Sequence, residues 1–134
     1  MTMQNILHRI FSPGKVAPPK PVIRSFQDKY GDSINIEWHR EKENFEALFY
    51  IDDAENIALF APDGKILEHK KNLLLTAASP AVTAQAALIG EMMNLIEIDR
   101  QGVIYYEVIA RDGYLDRYYL LLNSDGKLID KKKL

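Results

Sequence analysis

Hydrophobic and polar positions repeat with two periods along this chain, and each switch of period marks an element. Val22, Ile23, Phe26 and Tyr30 recur at helical spacing behind Pro18, Pro19 and Pro21. Residues three and four apart share one helix face, so the stripe predicts a helix over 20–30. A proline suits its first turn, and Gly31 offers a left-handed stop. The period then falls to two. Ile34, Ile36 and Trp38 alternate with Asn35, Glu37 and His39. After a charged turn at 40–44, Phe45, Ala47, Phe49 and Ile51 alternate with Glu46, Leu48 and Tyr50. A turn at 52–56, a short strand at 57–61 and a tight Pro62-Asp63-Gly64 hairpin lead into a strand at 65–70.

The rest of the chain repeats this order. Ser79 is a natural N-cap, with Pro80 at the first helical position. Val82, Ala86, Ile89 and Met93 form one stripe, which predicts a helix over 80–93 with Gly90 inside it at a cost near 1 kcal/mol. Strands are predicted at 95–100, 103–111, 114–123 and 127–132. Local sequence echoes across the halves. Asp63-Gly64-Lys65-Ile66-Leu67-Glu68 returns as Asp125-Gly126-Lys127-Leu128-Ile129-Asp130. Ile34-Asn35-Ile36-Glu37 returns as Ile96-Glu97-Ile98-Asp99, and Phe45-Glu46-Ala47 as Tyr106-Glu107-Val108. Such self-similarity marks a duplicated supersecondary unit. The expected class is α+β: two tandem helix–β4 repeats, with the helices packed on one face of an antiparallel sheet. Residues 1–18 form an N-terminal arm, and residues 19–134 the domain, with repeats at about 19–72 and 79–134.

Strand parity then divides the side chains. Phe45, Phe49 and Ile51 suit the helix side. Glu46, Leu48 and Tyr50 fall on the second face, as do Tyr105, Glu107 and Ile109, with Tyr119 and Leu121 joining them.

Composition narrows the chemistry. A chain of 134 residues suits one ordinary domain, and 47% hydrophobic with 27% charged content is usual for a folded soluble protein. The net charge of −2 offers no basic field for nucleic acid. With no cysteine, disulfides, Cys-ligated zinc, iron–sulfur clusters and thiol catalysis are excluded. No apolar run is long enough to span a membrane. In the arm, Ile6, Leu7, Ile10 and Phe11 make a short amphipathic turn, but His8 and Arg9 interrupt it. No apolar core follows a basic start, so it fails as a signal peptide and a cytoplasmic location is expected.

Candidate catalytic sets are few. His8, His39 and His69 lack metal-ligand spacing, and neither a metal nor a cofactor is expected. Asn123-Ser124-Asp125-Gly126 has the look of a calcium loop, but Leu121 and Lys132 stand where ligands are needed, so it reads as a hairpin turn. No serine sits in a nucleophile elbow, and no glycine-rich loop could cradle phosphate. Glu46 and Glu107 could divide acid and base work, but their matching places in the two halves have a simpler cause in duplication. The remaining signal is the mixture of tyrosines and carboxylates on the second face. Glu46, Tyr50, Tyr105, Glu107 and Tyr119 are therefore the candidate partner-binding residues.

Trp38, Phe45-Glu46-Ala47-Leu48-Phe49 and the hairpin Ala58-Leu59-Phe60-Ala61-Pro62-Asp63-Gly64-Lys65 resemble the PepSY-like family of β-lactamase-inhibitor-like proteins. Tyr105-Tyr106-Glu107-Val108 and Leu120-Leu121-Leu122-Asn123-Ser124-Asp125-Gly126-Lys127 fit the same pattern. The resemblance covers about 19–132. It implies helices on an antiparallel sheet, no catalytic residue to carry over, and an open sheet face that grips a partner. Its members are mostly exported bacterial proteins, from which this chain departs in lacking a signal peptide. The expected function is a non-enzymatic module that binds a protein or peptide. The alternative is a small-ligand carrier or sensor with an apolar pocket of some 300 Å³ or more between helices and sheet.

Overall fold

The structure is a computed structural model describing residues 16–31, 33 and 35–134. Expectations for the arm, including the turn of Ile6, Leu7, Ile10 and Phe11, and for Ile34 lie outside the described residues. In chain order the elements are α1 (Lys20–Tyr30), β1 (Glu37–Glu41), β2 (Asn44–Ile51), β3 (Ala54–Phe60) and β4 (Ile66–Leu73). A 3-10 turn (Leu75–Ala77) follows, then α2 (Pro80–Ala87), β5 (Glu91–Arg100), β6 (Val103–Arg111), β7 (Arg117–Asn123) and β8 (Leu128–Lys133).

The expected fold class is corrected. Strand accounts for 51% of the described residues and helix for only 19%, so this is a mostly-β protein and not an α+β layering of two tandem helix–β4 repeats. Among the described residues the strands pair antiparallel in chain order, β1 to β4 in the first half and β5 to β8 in the second, and the described α-helices are short, with 11 and 8 residues. The largest single error lies at 88–93. A side chain on Gly90 would collide with the Arg111 carbonyl, so the backbone there is pressed against β6 rather than wound into a helix. Met92 pairs with Ala110 instead, as part of β5. Met93, meant for the helical stripe, is thus a strand residue at a bulge between Met92 and Asn94, and Ile89 lies in the turn after α2.

Two compact units divide the chain, one ending at Lys71 and the other starting at Asn72. In the first, Val22 and Ile23 donate their N–H groups to the Pro19 carbonyl, which starts α1. Gly31 ends it at φ 69°, with its N–H on the Gln27 carbonyl. Val22 and Phe26 are buried with Ala47, Phe49, Ala58 and Phe60. Phe26 is the hub: its ring centroid lies 4.9 Å from that of Phe49 and 5.5 Å from that of Trp38, both edge-on. Edge-to-face pairs of this kind add to the stabilisation from area burial.

The β2–β3 turn is tighter than the sequence suggests. Asp52 and Asp53 take φ values of 48° and 65°, the two left-handed residues of a two-residue hairpin loop. Strand β3 can therefore begin at Ala54, and Glu55 and Asn56 belong to the sheet. Gly64 is required at the β3–β4 turn. Its φ is +95°, and a Cβ there would stand 2.5 Å from the Pro21 carbonyl oxygen, in the first turn of α1.

In the second unit, Ser79 Oγ accepts the Val82 N–H at 3.3 Å and caps α2. Val82 and Ala86 pack with Leu95, Val108, Ala110, Leu120 and Leu122, an aliphatic core without a buried phenylalanine. Three turns are closed by side chains: Asp99 Oδ1 accepts the Gly102 N–H at 2.8 Å between β5 and β6. Asp112 Oδ1 accepts from the Tyr114 and Asp116 N–H groups, and Asn123 Oδ1 from those of Asp125 and Lys127. The Asp112 turn delays β7 to Arg117.

Candidate functional site

Residues directly opposite one another on paired strands share a face, so register places the candidate side chains. In the first unit, His39, Glu46, Leu59 and Glu68 stand in one cross-strand row. Glu37, Leu48, Ile57 and Lys70 form the next, and Tyr50 faces Glu55. These rows have the parity opposite to Ala47, Phe49, Ala58 and Phe60, which pack on α1. Glu46 and Tyr50 thus lie on the face away from the helix.

Neither lies fully open. Glu46 is 4% exposed and Tyr50 is half-buried. Glu46 occupies the middle of a row, between His39 and Leu59. Its Oε2 has no hydrogen-bond partner among the described residues. Burial first and then the Glu41 carboxylate, partly offset by Lys70 and with a smaller push from Glu68, raise its pKa to about 7. Tyr50 donates a long hydrogen bond of 3.4 Å to Glu55 Oε2. Glu68 and Lys70 approach to 3.9 Å, and Glu37 and His39 to 3.7 Å.

In the second unit, Ile96, Glu107, Leu121 and Asp130 make one row, and Asn94, Ile109, Tyr119 and Lys132 another. Tyr105 stands between Ile98 and Asn123. Tyr105, Glu107 and Tyr119 again have the parity opposite to the residues that pack on α2. Glu107 is 8% exposed, but it accepts a hydrogen bond from the Tyr119 hydroxyl. Burial first, then the Glu107 charge and that hydrogen bond, push the Tyr119 hydroxyl well above the usual phenol range. Arg100 lies 5.1 Å from the Tyr105 ring centroid, and Lys132 5.9 Å from that of Tyr119.

Within each unit, then, structure brings the sequence candidates together: Glu46 with Tyr50, and Tyr105 with Glu107 and Tyr119. Sequence reasoning missed Glu41, Glu55, Glu68 and Arg100. Glu41 and Glu55 were hidden in segments read as turns. Glu68 and Arg100 had the right parity to be found. His69, by contrast, lies on the helix side, with Nε2 2.8 Å from Oδ1 of the buried Asn56.

Two concavities open on the first unit. One, of about 230 Å³, lies between α1 and β1 and is lined by Ile23, Phe26, Gln27, Ile36 and Trp38 among others. It is smaller than the roughly 300 Å³ at which small-ligand pockets begin. The other, of about 480 Å³, is an open groove flanked by Arg24, Asp28, Lys29 and Asp63. Among the described residues no group of three or more His, Cys, Asp or Glu could hold a metal ion. No described helix is long and apolar enough to cross a membrane.

No family model matches the sequence, and no curated protein matches it. Solved structures do. A candidate periplasmic protein from Bacteroides eggerthii is similar with a TM-score of 0.80 at 16% identity, over 88% of this chain and 90% of that one. A DUF2874 family protein from Bacteroides uniformis gives 0.78 at 17% identity, over 87% and 90%. A BLIP-like protein from Bacteroides fragilis gives 0.73 at 16% identity, over 90% and 89%. The cytoplasmic expectation is overturned by the first of these, because the same fold occurs there in a candidate periplasmic protein. That expectation rested only on a missing signal in residues 1–15, and an absence of that kind carries no address. At this level of identity the likeness shows the fold alone: the chain has a BLIP-like, β-lactamase-inhibitor-like fold.

Proposed function

We propose that this protein is a non-enzymatic binding module of the β-lactamase-inhibitor-like type, which grips a protein or peptide on the sheet face away from its helices. The observation that carries the reading is the composition of that face. In the first unit Tyr50 stands there beside Glu46 and Glu55, and in the second Tyr105 and Tyr119 stand beside Glu107, while within each unit the opposite parity packs on its helix. Half-buried tyrosines offer a partner large contact area with little side-chain entropy to lose. The BLIP-like and periplasmic neighbours support a partner-binding role outside the cytoplasm. The finer PepSY-like assignment rests on the aromatic strands and Asp-Gly turns of the sequence.

The test is a heptapeptide display library selected on the immobilised protein. Binding of the selected peptides should fall about tenfold or more in Tyr105→Ala, the scale of a central interface tyrosine, while the melting temperature stays nearly unchanged. Peptides that bind Tyr50→Ala and Tyr105→Ala as tightly as the parent would sink the reading.

A further inference from the structure

One turn shape is built three times, and one copy carries a residue that the shape disfavours. The turns at 61–65, 112–116 and 123–127 share a pair of backbone hydrogen bonds. In each, the N–H of the first residue donates to the carbonyl of the fifth, and the N–H of the fourth to the carbonyl of the first, at 2.9–3.1 Å. The fourth residue is left-handed in all three, with φ of 95° at Gly64, 68° at Leu115 and 82° at Gly126. Glycine suits that conformation, whereas a bulky side chain is strained in it. Two of the turns also press on a helix start: an added Cβ would stand 2.5 Å from the Pro21 carbonyl oxygen at Gly64, and 2.6 Å from the Ala81 Cβ at Gly126. The middle turn is open. Leu115 is 69% exposed there, beside Tyr114 at 89%. Leu115 thus carries backbone strain without burying its side chain.

Leu88, 81% exposed, stands at the same end of the second unit. Gly90, two residues on, is pressed against the Arg111 carbonyl and the Asp112 Cα, where the middle turn begins. Grouped apolar exposure of this kind marks an interaction site, as single exposed residues do not. Charges of both signs border the group: Glu91 pairs with Arg111 at 2.8 Å, and Asp116 with Lys133 at 3.3 Å. We propose that this end of the second unit, with Leu88, Tyr114 and Leu115 at its centre, packs against the same end of a second copy of the chain. An apolar centre within a polar rim is the anatomy of a protein interface, and two-fold dimers form where one patch meets itself. A rim of balanced sign holds no attraction for a strongly charged partner and no net repulsion for its own copy. The net charge of −2 adds little repulsion at longer range. Asp112 Oδ1 already fixes the Tyr114 and Asp116 N–H groups at 2.9 and 3.0 Å, so the turn has little order left to lose on contact. Three side chains make a small contact beside the roughly 1,200 Å² of a stable complex, so the dimer is a weak one. These residues lie outside the sheet-face set, and the dimer stands or falls independently of the binding reading above.

Sedimentation equilibrium of the full chain tests this. The expected result is a reversible monomer–dimer equilibrium with a dissociation constant of about 0.1–1 mM. Leu115→Gly should weaken it about tenfold or more, and Leu88→Ser and Tyr114→Ser should each weaken it as well. Val103→Ser changes an exposed residue at the opposite end of β6 and should leave it unchanged. In dilute solution, where the chain is monomeric, Leu115→Gly should raise the melting temperature by about 4 °C, because glycine relieves the left-handed strain. A chain that stays monomeric up to about 1 mM would overturn the inference and leave the patch to a partner of another kind. A dimer indifferent to Leu115→Gly and Leu88→Ser would overturn it too, by placing the contact elsewhere. A lower melting temperature for Leu115→Gly would show that Leu115 serves the fold of the monomer, and the ground for the dimer would be gone.

Discussion

The two units each bury a glutamate on the face away from their helix, and they treat it differently. Glu107 receives the hydroxyl of Tyr119, two strand positions along the neighbouring row. Glu46 receives no donor at Oε2 and has Glu41 and Glu68 for neighbours. Their cores differ as well. The first unit fills its helix side with rings: Phe26, Trp38, Phe49 and Phe60. The second fills it with valine, leucine and alanine. A buried carboxylate with a built-in donor is a finished piece of structure. One without a donor is stable only so far as its proton neutralises it. The comparison therefore singles out the first unit as the place where ionisation would change the protein's energetics most.

The largest effect tests the cores. Phe26→Ala removes the ring that touches Tyr30, Trp38, Phe49 and Phe60. It should cost about 3–5 kcal/mol, because the cavity adds to the lost transfer energy. Val82→Ala, on the other helix, removes two methyl groups and should cost about 2 kcal/mol. Urea melts of both variants would show the order, and an equal or larger loss in Val82→Ala would mean that the aromatic cluster is not the more tightly packed core. Next comes the paired glutamate. Tyr119→Phe deletes the donor and leaves Glu107 buried without it. A loss of about 1–3 kcal/mol is expected at neutral pH. If the melts show no loss, Glu107 has compensation elsewhere and the contrast with Glu46 weakens.

Much of the face was legible in the sequence because alternation is local. Glu46 and Tyr50, or Tyr105 and Glu107, are separated by an even number of residues, and no tertiary contact can put them on opposite sides of a regular strand. Burial is another matter. That Glu46 shares one row with His39, Leu59 and Glu68 depends on the register of four strands, which the pattern of one strand does not contain. Polar composition also concealed structure. Asp52-Asp53-Ala54-Glu55-Asn56 reads as a loop, yet only the two aspartates turn. Glu55 and Asn56 are 3% and 0% exposed in β3. The error at the second helix had the same root. Ile89 and Met93 satisfied helical spacing, and only the approach of the Arg111 backbone to Gly90 decides against it.

The smallest effect is the one that reads Glu46 directly. Its pKa rises from an ordinary 4.5 to about 7 in the folded protein, chiefly through burial and then through Glu41. The folded state therefore holds this proton more tightly than the unfolded chain does. The stability that the proton contributes is fully present below the unfolded value of 4.5 and is lost as pH rises through about 7. Glutamine keeps the shape of the neutral acid at every pH. Glu46→Gln should match the parent near pH 4 and exceed it at pH 8. The full shift would give a larger number, but water reaching the flanking polar side chains screens part of it, so a gain of about 1–2 kcal/mol is expected. Urea melts at pH 4, 6 and 8 would trace the difference. A gain that is the same at all three values would show that the substitution acts through packing and not through ionisation. A loss at pH 8 would show that Glu46 is already paired as a carboxylate, and the contrast between the two units would then disappear.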